Sequence, residues 1–339
     1  MPFSIQQHNL KLSKSSLAAQ LVKGGFMKKS IILLILLCFV IFPLIVVTLP
    51  MLTLKETLTH EEASEKFAKG SFVSVDGKKV HYIEKGNGEP VIFIHGFLYH
   101  TVMWKKNMDA LAEKFKVYAI DLYGWGFSER LDETEYGFER YAKQVMGFMD
   151  ALNIPKASLV GQSMGGGISV HVAAYHPQRI NRLILVDPAV LPYPETVTGR
   201  IYQLPFVGEF LNAIPGDGLL KSNLKKIWFH DGSKVTDAYV EEVAQPLSIK
   251  GSYSCMMYIL RNVLKPPFVE REANLLATMN KPILIIHGRE DKAVPLENSK
   301  VLNDLWTGSK LVVFERAGHT PQEEHPEIFN QLAKEFLAD

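Results

Sequence analysis

The chain has 339 residues, 47% of them apolar and 22% charged, with a formal net charge of +1. This balance excludes a disordered or fibrous chain, and near-cancelling acids and bases, with no Lys/Arg run interleaved with aromatics, leave no basis for a nucleic-acid partner. Two cysteines, Cys38 and Cys255, provide neither a disulfide framework nor a metal cluster.

From Ile31 to Leu49 the sequence IILLILLCFVIFPLIVVTL carries no charge, and about 20 apolar residues suffice to cross a hydrocarbon core. Lys11, Lys14, Lys23, Lys28 and Lys29 precede it, whereas Glu56, Glu61, Glu62 and Glu65 follow. Positive charge stays inside. The expectation is a basic cytoplasmic tail over residues 1–30 and a transmembrane signal anchor over 31–49. The remainder would then face the outer, periplasmic or extracellular, side. A cleaved signal peptide and a secreted product form the competing reading, although Thr48-Leu49-Pro50 offers no small-residue cleavage site. Met27 is an alternative initiator that leaves the topology argument intact.

Residues 50–70 read as a polar helical spacer, with Thr59 and Glu62 spaced as a capping box. Ser71 to Lys85 carries two short strand-like runs joined at Asp76-Gly77, a hairpin dipeptide. Apolar runs at 91–95, 117–121, 158–162, 183–187, 283–287 and 311–315 then read as buried parallel strands. Between most of them lie helical patterns at 103–115, 136–152, 164–176, 298–306 and 327–337. The expected class is α/β, a mostly parallel sheet covered by helices on both faces. Between Pro188 and Asn280 the alternation fails, and a stretch that long reads as an inserted helical subdomain. The core is placed at 71–187 and 276–339, and a helical cap at 188–275.

The run SLVGQ leads into Gly161-Gln162-Ser163-Met164-Gly165 and then a helical stretch, which is the G-x-S-x-G elbow in its required context. The sharp turn demands small flanking residues and pushes the serine hydroxyl above the sheet. Ser163 is the candidate nucleophile. It needs a base, and His319, in Ala317-Gly318-His319 just after the last strand, fits the chain order of such triads better than His325. Asp291, in Gly288-Arg289-Glu290-Asp291, is the candidate orienting carboxylate, with Glu290 and Asp187 as rivals. The amides of Met164 and Phe97, the latter in His95-Gly96-Phe97-Leu98, are the candidate oxyanion donors.

The His-Gly-Phe turn, the segment Asp121-Leu122-Tyr123-Gly124-Trp125-Gly126-Phe127-Ser128, the serine elbow, the Gly-Arg-Glu-Asp loop and the Gly-His loop together resemble the α/β-hydrolase superfamily over residues 71–339. The resemblance implies an eight-stranded core sheet, a helical cap, no cofactor, and a structural role for Asp121. Anchor plus capped hydrolase resembles membrane-bound monoacylglycerol lipases and esterases, which implies cleavage of a small-molecule or lipid ester through an acyl-enzyme. Meta-cleavage-product hydrolases, which break carbon–carbon bonds, share the Ser-Met-Gly-Gly elbow but usually carry Gly-Pro-Gly after the first His-Gly, where this chain has Phe-Leu-Tyr-His. A hydrolase fold turned ligand-binding module is the third reading, and the complete triad counts against it. Tyr202, Leu204, Phe206, Phe210, Leu211, Trp228, Phe229, Met256, Met257 and Tyr258 are the cap residues that would line an acyl pocket.

Overall fold

The computed structural model describes residues 56–339, apart from 133–134, 195–196, 214–217 and 267, together with scattered positions between 30 and 45. The chain divides into two compact units, Met1–Thr53 and Leu54–Asp339, and everything below concerns the second. Most of the stretch 31–49 and residues 1–29 of the basic tail, Met27 among them, lie outside the described residues. A span requires about 20 apolar residues in one continuous helix, and among the described residues no helix is long and apolar enough to cross a membrane. The expected single-pass anchor, and the outward-facing location built on it, are corrected accordingly.

The spacer is not a free linker. Thr59 and Glu62 form the reciprocal capping box of α1 (His60–Phe67). Just before it, Leu58 bridges Ile249, and the Glu56 carboxylate accepts the Gly251 and Tyr253 amides at 3.2 and 2.6 Å. Residues 56–58 thus clip the start of a cap helix, where free backbone N–H groups attract a carboxylate.

The hairpin β1 (Ser71–Val75) and β2 (Lys78–Lys85) turns at Asp76 and Gly77, both at positive φ (50° and 77°), as a two-residue primed turn requires. There follow β3 (Glu89–Ile94), α2 (Met108–Ala112), β4 (Phe115–Ile120), α3 (Phe138–Ala151), β5 (Ala157–Gln162), α4 (Met164–Tyr175) and β6 (Ile180–Val186). The insertion contributes α5 (Val197–Gln203), α6 (Val207–Ala213), α7 (Gly218–Asn223), α8 (Asp237–Ala244) and α9 (Ser252–Asn262). Then α10 (Glu270–Leu276), β7 (Ile283–Gly288), α11 (Leu296–Leu305), β8 (Lys310–Phe314), α12 (Pro321–Glu324) and α13 (Pro326–Ala338) complete the chain. One eight-stranded sheet results, in the order β1-β2-β4-β3-β5-β6-β7-β8. Pairing is antiparallel only at β1–β2 and β2–β4.

Both faces of the central strands are buried, which is why they read as unbroken apolar runs. Ile92, Ile94, Leu183, Leu185, Ile283 and Ile285 point into one core layer with α3, α4 and α10. Their alternates Val91, Phe93, Ile184, Val186, Leu284 and Ile286 point into the other, with α2 and α13. A period of two places successive side chains on opposite faces, and each such burial stabilises by about 1.5–3 kcal/mol. One expected helix is interrupted: 103–115 is a 3-10 turn (Thr101–Trp104) and the short α2. Buried Asn107 sits between them, its amide donating to the Gln322 carbonyl and to Asn330.

Candidate active site

Parallel strands end on one edge, so the loops after β3, β5, β6, β7 and β8 converge there. Ser163 sits between β5 and α4 at φ 50° and ψ −115°, a region costly for a non-glycine residue and held only because the surroundings over-determine it. Its amide donates to the Val186 carbonyl at 2.8 Å and its own carbonyl accepts from Ala189 at 3.0 Å. The small neighbours are required. A Cβ on Gly165 would lie 2.2 Å from the Ile94 carbonyl oxygen, and one on Gly161 would lie 2.3 Å from that of Gly165.

The loop after β3 closes against the serine. A Cβ on Gly96 would come within 3.1 Å of the Ser163 Cβ and 2.1 Å of the Gln162 side-chain oxygen, so Phe97 follows directly from a point of contact with the elbow. The Phe97 ring stands edge-on to Trp125 at 5.1 Å.

His319 and Asp291 meet, with Nδ1 and Oδ2 2.7 Å apart. The Asp291 Oδ1 accepts the Ala293 and Val294 amides at 2.7 and 3.1 Å, which fixes the carboxylate. Burial by itself would raise this carboxyl, but the His319 ring and its hydrogen bond, with the Ala293 amide, outweigh burial and hold it below the ordinary value. No hydrogen bond joins the Ser163 hydroxyl to His319; catalytic contacts often tighten only when substrate binds. The serine remains 8% exposed and the histidine 2%.

The rivals are engaged elsewhere. Glu290 accepts the Ala317 amide at 3.0 Å, and His325 lies against the Arg316 carbonyl at 3.0 Å. Asp187 accepts the Gly288 amide at 2.9 Å. Asp121 accepts the Thr101 and Phe127 amides and contacts the His81 ring, binding three segments beneath the site. Asp187, His287 and Asp291 present ligating atoms within 4.8 Å of one another. Both His287 nitrogens are taken by Ser299 and Val294, however, and the Asp291 Oδ2 by His319, so this donor set serves a hydrogen-bond network rather than a cation.

Among the described residues, Trp228 brings the cap against His319. Trp228, ending a one-turn π-helix (Leu224–Trp228), stands edge-on to His319 with centroids 5.2 Å apart, and its carbonyl accepts the His319 amide at 2.6 Å. The Glu324 carboxylate receives the Gly318 amide and those of His230 and Asp231, lashing cap to histidine loop. Leu204 and Phe206, expected to line the pocket, are instead 52% and 57% exposed. Met256 and Met257 are buried in the sheet's core layer with Trp125 and Tyr136. Sequence reasoning missed Gln162, whose Nε2 donates to the His319 carbonyl at 2.7 Å. Nothing local signals a partner that distant.

Residues 89–326 match the family model described as the alpha/beta hydrolase fold. The chain belongs to the α/β-hydrolase family. Among similar α/β-hydrolases is a 2-hydroxymuconate semialdehyde hydrolase of Pseudomonas sp. strain CF600, 31% identical over 80% of this chain and 94% of that one. A 2-hydroxy-6-oxo-2,4-heptadienoate hydrolase of Pseudomonas putida F1 is 30% identical, over 79% and 96%. Among solved structures, a meta-cleavage product hydrolase of Pseudomonas fluorescens IP01 is similar at 30% identity and a TM-score of 0.68, covering 79% of this chain and 97% of that one.

Proposed function

We propose that this α/β-hydrolase is a serine hydrolase that cleaves the carbon–carbon bond of a dienoic diketone, the bond attacked by its meta-cleavage relatives. Ser163 attacks the ketone carbonyl while His319 takes the hydroxyl proton and Asp291 stabilises the resulting imidazolium. The Phe97 and Met164 amides receive the oxyanion, each donor contributing about 3–4 kcal/mol. Collapse of the tetrahedral adduct breaks the carbon–carbon bond. In the diketone tautomer, reached when the enol proton of the 2-hydroxy-dienoate moves to the carbon beside the ketone, the departing carbon leaves as a carbanion delocalised through the conjugated carbonyl, and His319 returns the proton to it. Water, deprotonated by the same histidine, then releases the acyl group from Ser163 as a carboxylic acid.

The observation that carries the reading is the Ser163 elbow on a chain about 30% identical, over nearly their whole length, to two enzymes named for dienoates. The membrane-lipase analogy that favoured esters loses its support along with the anchor. One observation still favours ester hydrolysis: Gly96 is followed by Phe97, Leu98, Tyr99 and His100, not by the Gly-Pro-Gly usual in the carbon–carbon hydrolases. The same triad would then expel an alkoxide. Purified protein given a 2-hydroxy-6-oxo-dienoate and p-nitrophenyl esters side by side decides between the bonds. A kcat/KM for the dienoate at least 100-fold above the best ester is expected; the reverse order establishes the esterase.

A further inference from the structure

The triad employs Asp291 and leaves unexplained a second carboxyl beside it. Asp187 ends β6 at φ 44° and is fully buried. Its Oδ1 accepts the Gly288 amide at 2.9 Å, while its Oδ2 has no hydrogen-bond partner. A buried, unmatched carboxylate oxygen costs several kcal/mol, on the order of an unpaired charge.

The groups facing it are Asp291 and the His287 ring, the three side chains presenting atoms within 4.8 Å of one another, and, farther off, Glu324. None supplies a positive charge. His287 Nε2 lies 3.6 Å from the Asp187 Oδ1 and 3.4 Å from the Asp291 Oδ2, but it donates to the Val294 carbonyl at 3.1 Å. Its Nδ1 lies 2.7 Å from the Ser299 hydroxyl, which can donate to it. These contacts accommodate a neutral imidazole, the form that burial favours by lowering this ring's pKa to about 4. Asp291 already holds the negative charge, matched by His319 and by two backbone amides. Two adjacent buried carboxyls sharing one charge keep one proton between them.

We infer that Asp187 is a positioning residue of the catalytic site: it keeps its proton and donates it from Oδ2 to the Asp291 carboxylate, tempering the charge that Asp291 presents to His319. Burial, then the facing Asp291 charge, push the Asp187 carboxyl well above the usual carboxylate range, in agreement with that geometry. A donor on the far side of Asp291 weakens its hold on a protonated His319. The imidazolium formed during the reaction then surrenders its proton more readily to the leaving group.

The inference rests on reading Ser163, His319 and Asp291 as the catalytic set, so the test separates the two. The rate at which a fluorophosphonate labels Ser163 is measured against pH in the parent, Asp187→Asn and Asp187→Ala. An unlabelled parent sinks the triad reading itself, whatever the variants do. With a labelled parent, Asp187→Asn is expected to keep the acid limb in place and the rate within about twofold, since an amide N–H donates from the same position without charge. Asp187→Ala is expected to move the acid limb up by about one unit, because the untempered Asp291 holds the His319 proton more tightly. A downward move of the limb in Asp187→Asn shows that Asp187 was ionised and overturns the inference. An unmoved limb in Asp187→Ala overturns it as well. Should the alanine variant not fold, the asparagine variant decides by itself.

Discussion

The Gln162 side chain donates to the His319 carbonyl at 2.7 Å across 157 residues of sequence, so the residue before the proposed nucleophile holds the loop that carries the proposed base. The same side chain lies against Gly96, and one amide thereby spaces the elbow, the oxyanion loop and the histidine loop. Replacing Gln162 by Leu leaves volume but removes the tether. A fall in kcat of about 10- to 100-fold is expected, since a misplacement of about 1 Å at a catalytic group costs on that order. Steady-state kinetics check it, with an unchanged circular dichroism spectrum showing that the fold survives.

Gly96→Ala tests the oxyanion loop. Its Cβ has no room beside Gln162 and Ser163, so the loop must withdraw and carry the Phe97 amide with it. Loss of one oxyanion donor costs about 100- to 1000-fold in kcat. The expected signature is that loss with KM nearly unchanged; equal losses in 1/KM would place the loop in substrate binding instead.

The Glu323 carboxyl yields a pH prediction. Burial raises it to about 8, against the hydrogen bond from Tyr239 and the Lys106 charge, which lower it. The folded state therefore keeps a proton that the unfolded chain releases near 4.5. Its stabilising contribution is complete below about 4.5 and declines as pH rises to about 8, by on the order of a few kcal/mol. Glu323→Gln should remove that decline. His81, where burial is outweighed by the charge and hydrogen bond of Asp121 together with the Lys69 carbonyl, adds a slope of the same sign. The parent-minus-variant difference in urea unfolding free energy between pH 5 and 8 is therefore the quantity to follow, and a difference that stays flat contradicts the assignment.

Trp228 is the cap's contact with the base, through its ring and its carbonyl. Trp228→Ala keeps the carbonyl and removes the ring. A loss of kcat/KM of about 10- to 100-fold is expected, with more water reaching the site, together with a broader tolerance of substrate size. An unaltered substrate profile would show that the ring only packs cap on core.

The sheet was legible because strands such as Ile283–Gly288 are buried on both faces and so read as unbroken apolar runs. The His319–Asp291 pairing and the strained turn at Ser163 were legible because each residue lies in a short motif at a strand end. What escaped sequence reading depends on partners far along the chain. Glu323 and Glu324 look like the solvated first turn of a helix, yet both are buried, received by Tyr239 and by the His230 and Asp231 amides. The 103–115 pattern concealed Asn107 because its partners are Gln322 and Asn330. Composition over 31–49 speaks to hydropathy alone and says nothing about a continuous helix of sufficient length.

The most direct test of the central claim is the fate of Ser163 itself. Protein incubated with a fluorophosphonate and digested should yield one stoichiometric adduct on the peptide containing Ser163. Ser163→Ala should fold, take no label and lose turnover of dienoate and ester alike by about 10⁴-fold or more. An adduct elsewhere, or a Ser163→Ala variant that turns over substrate at the parent rate, would contradict the account.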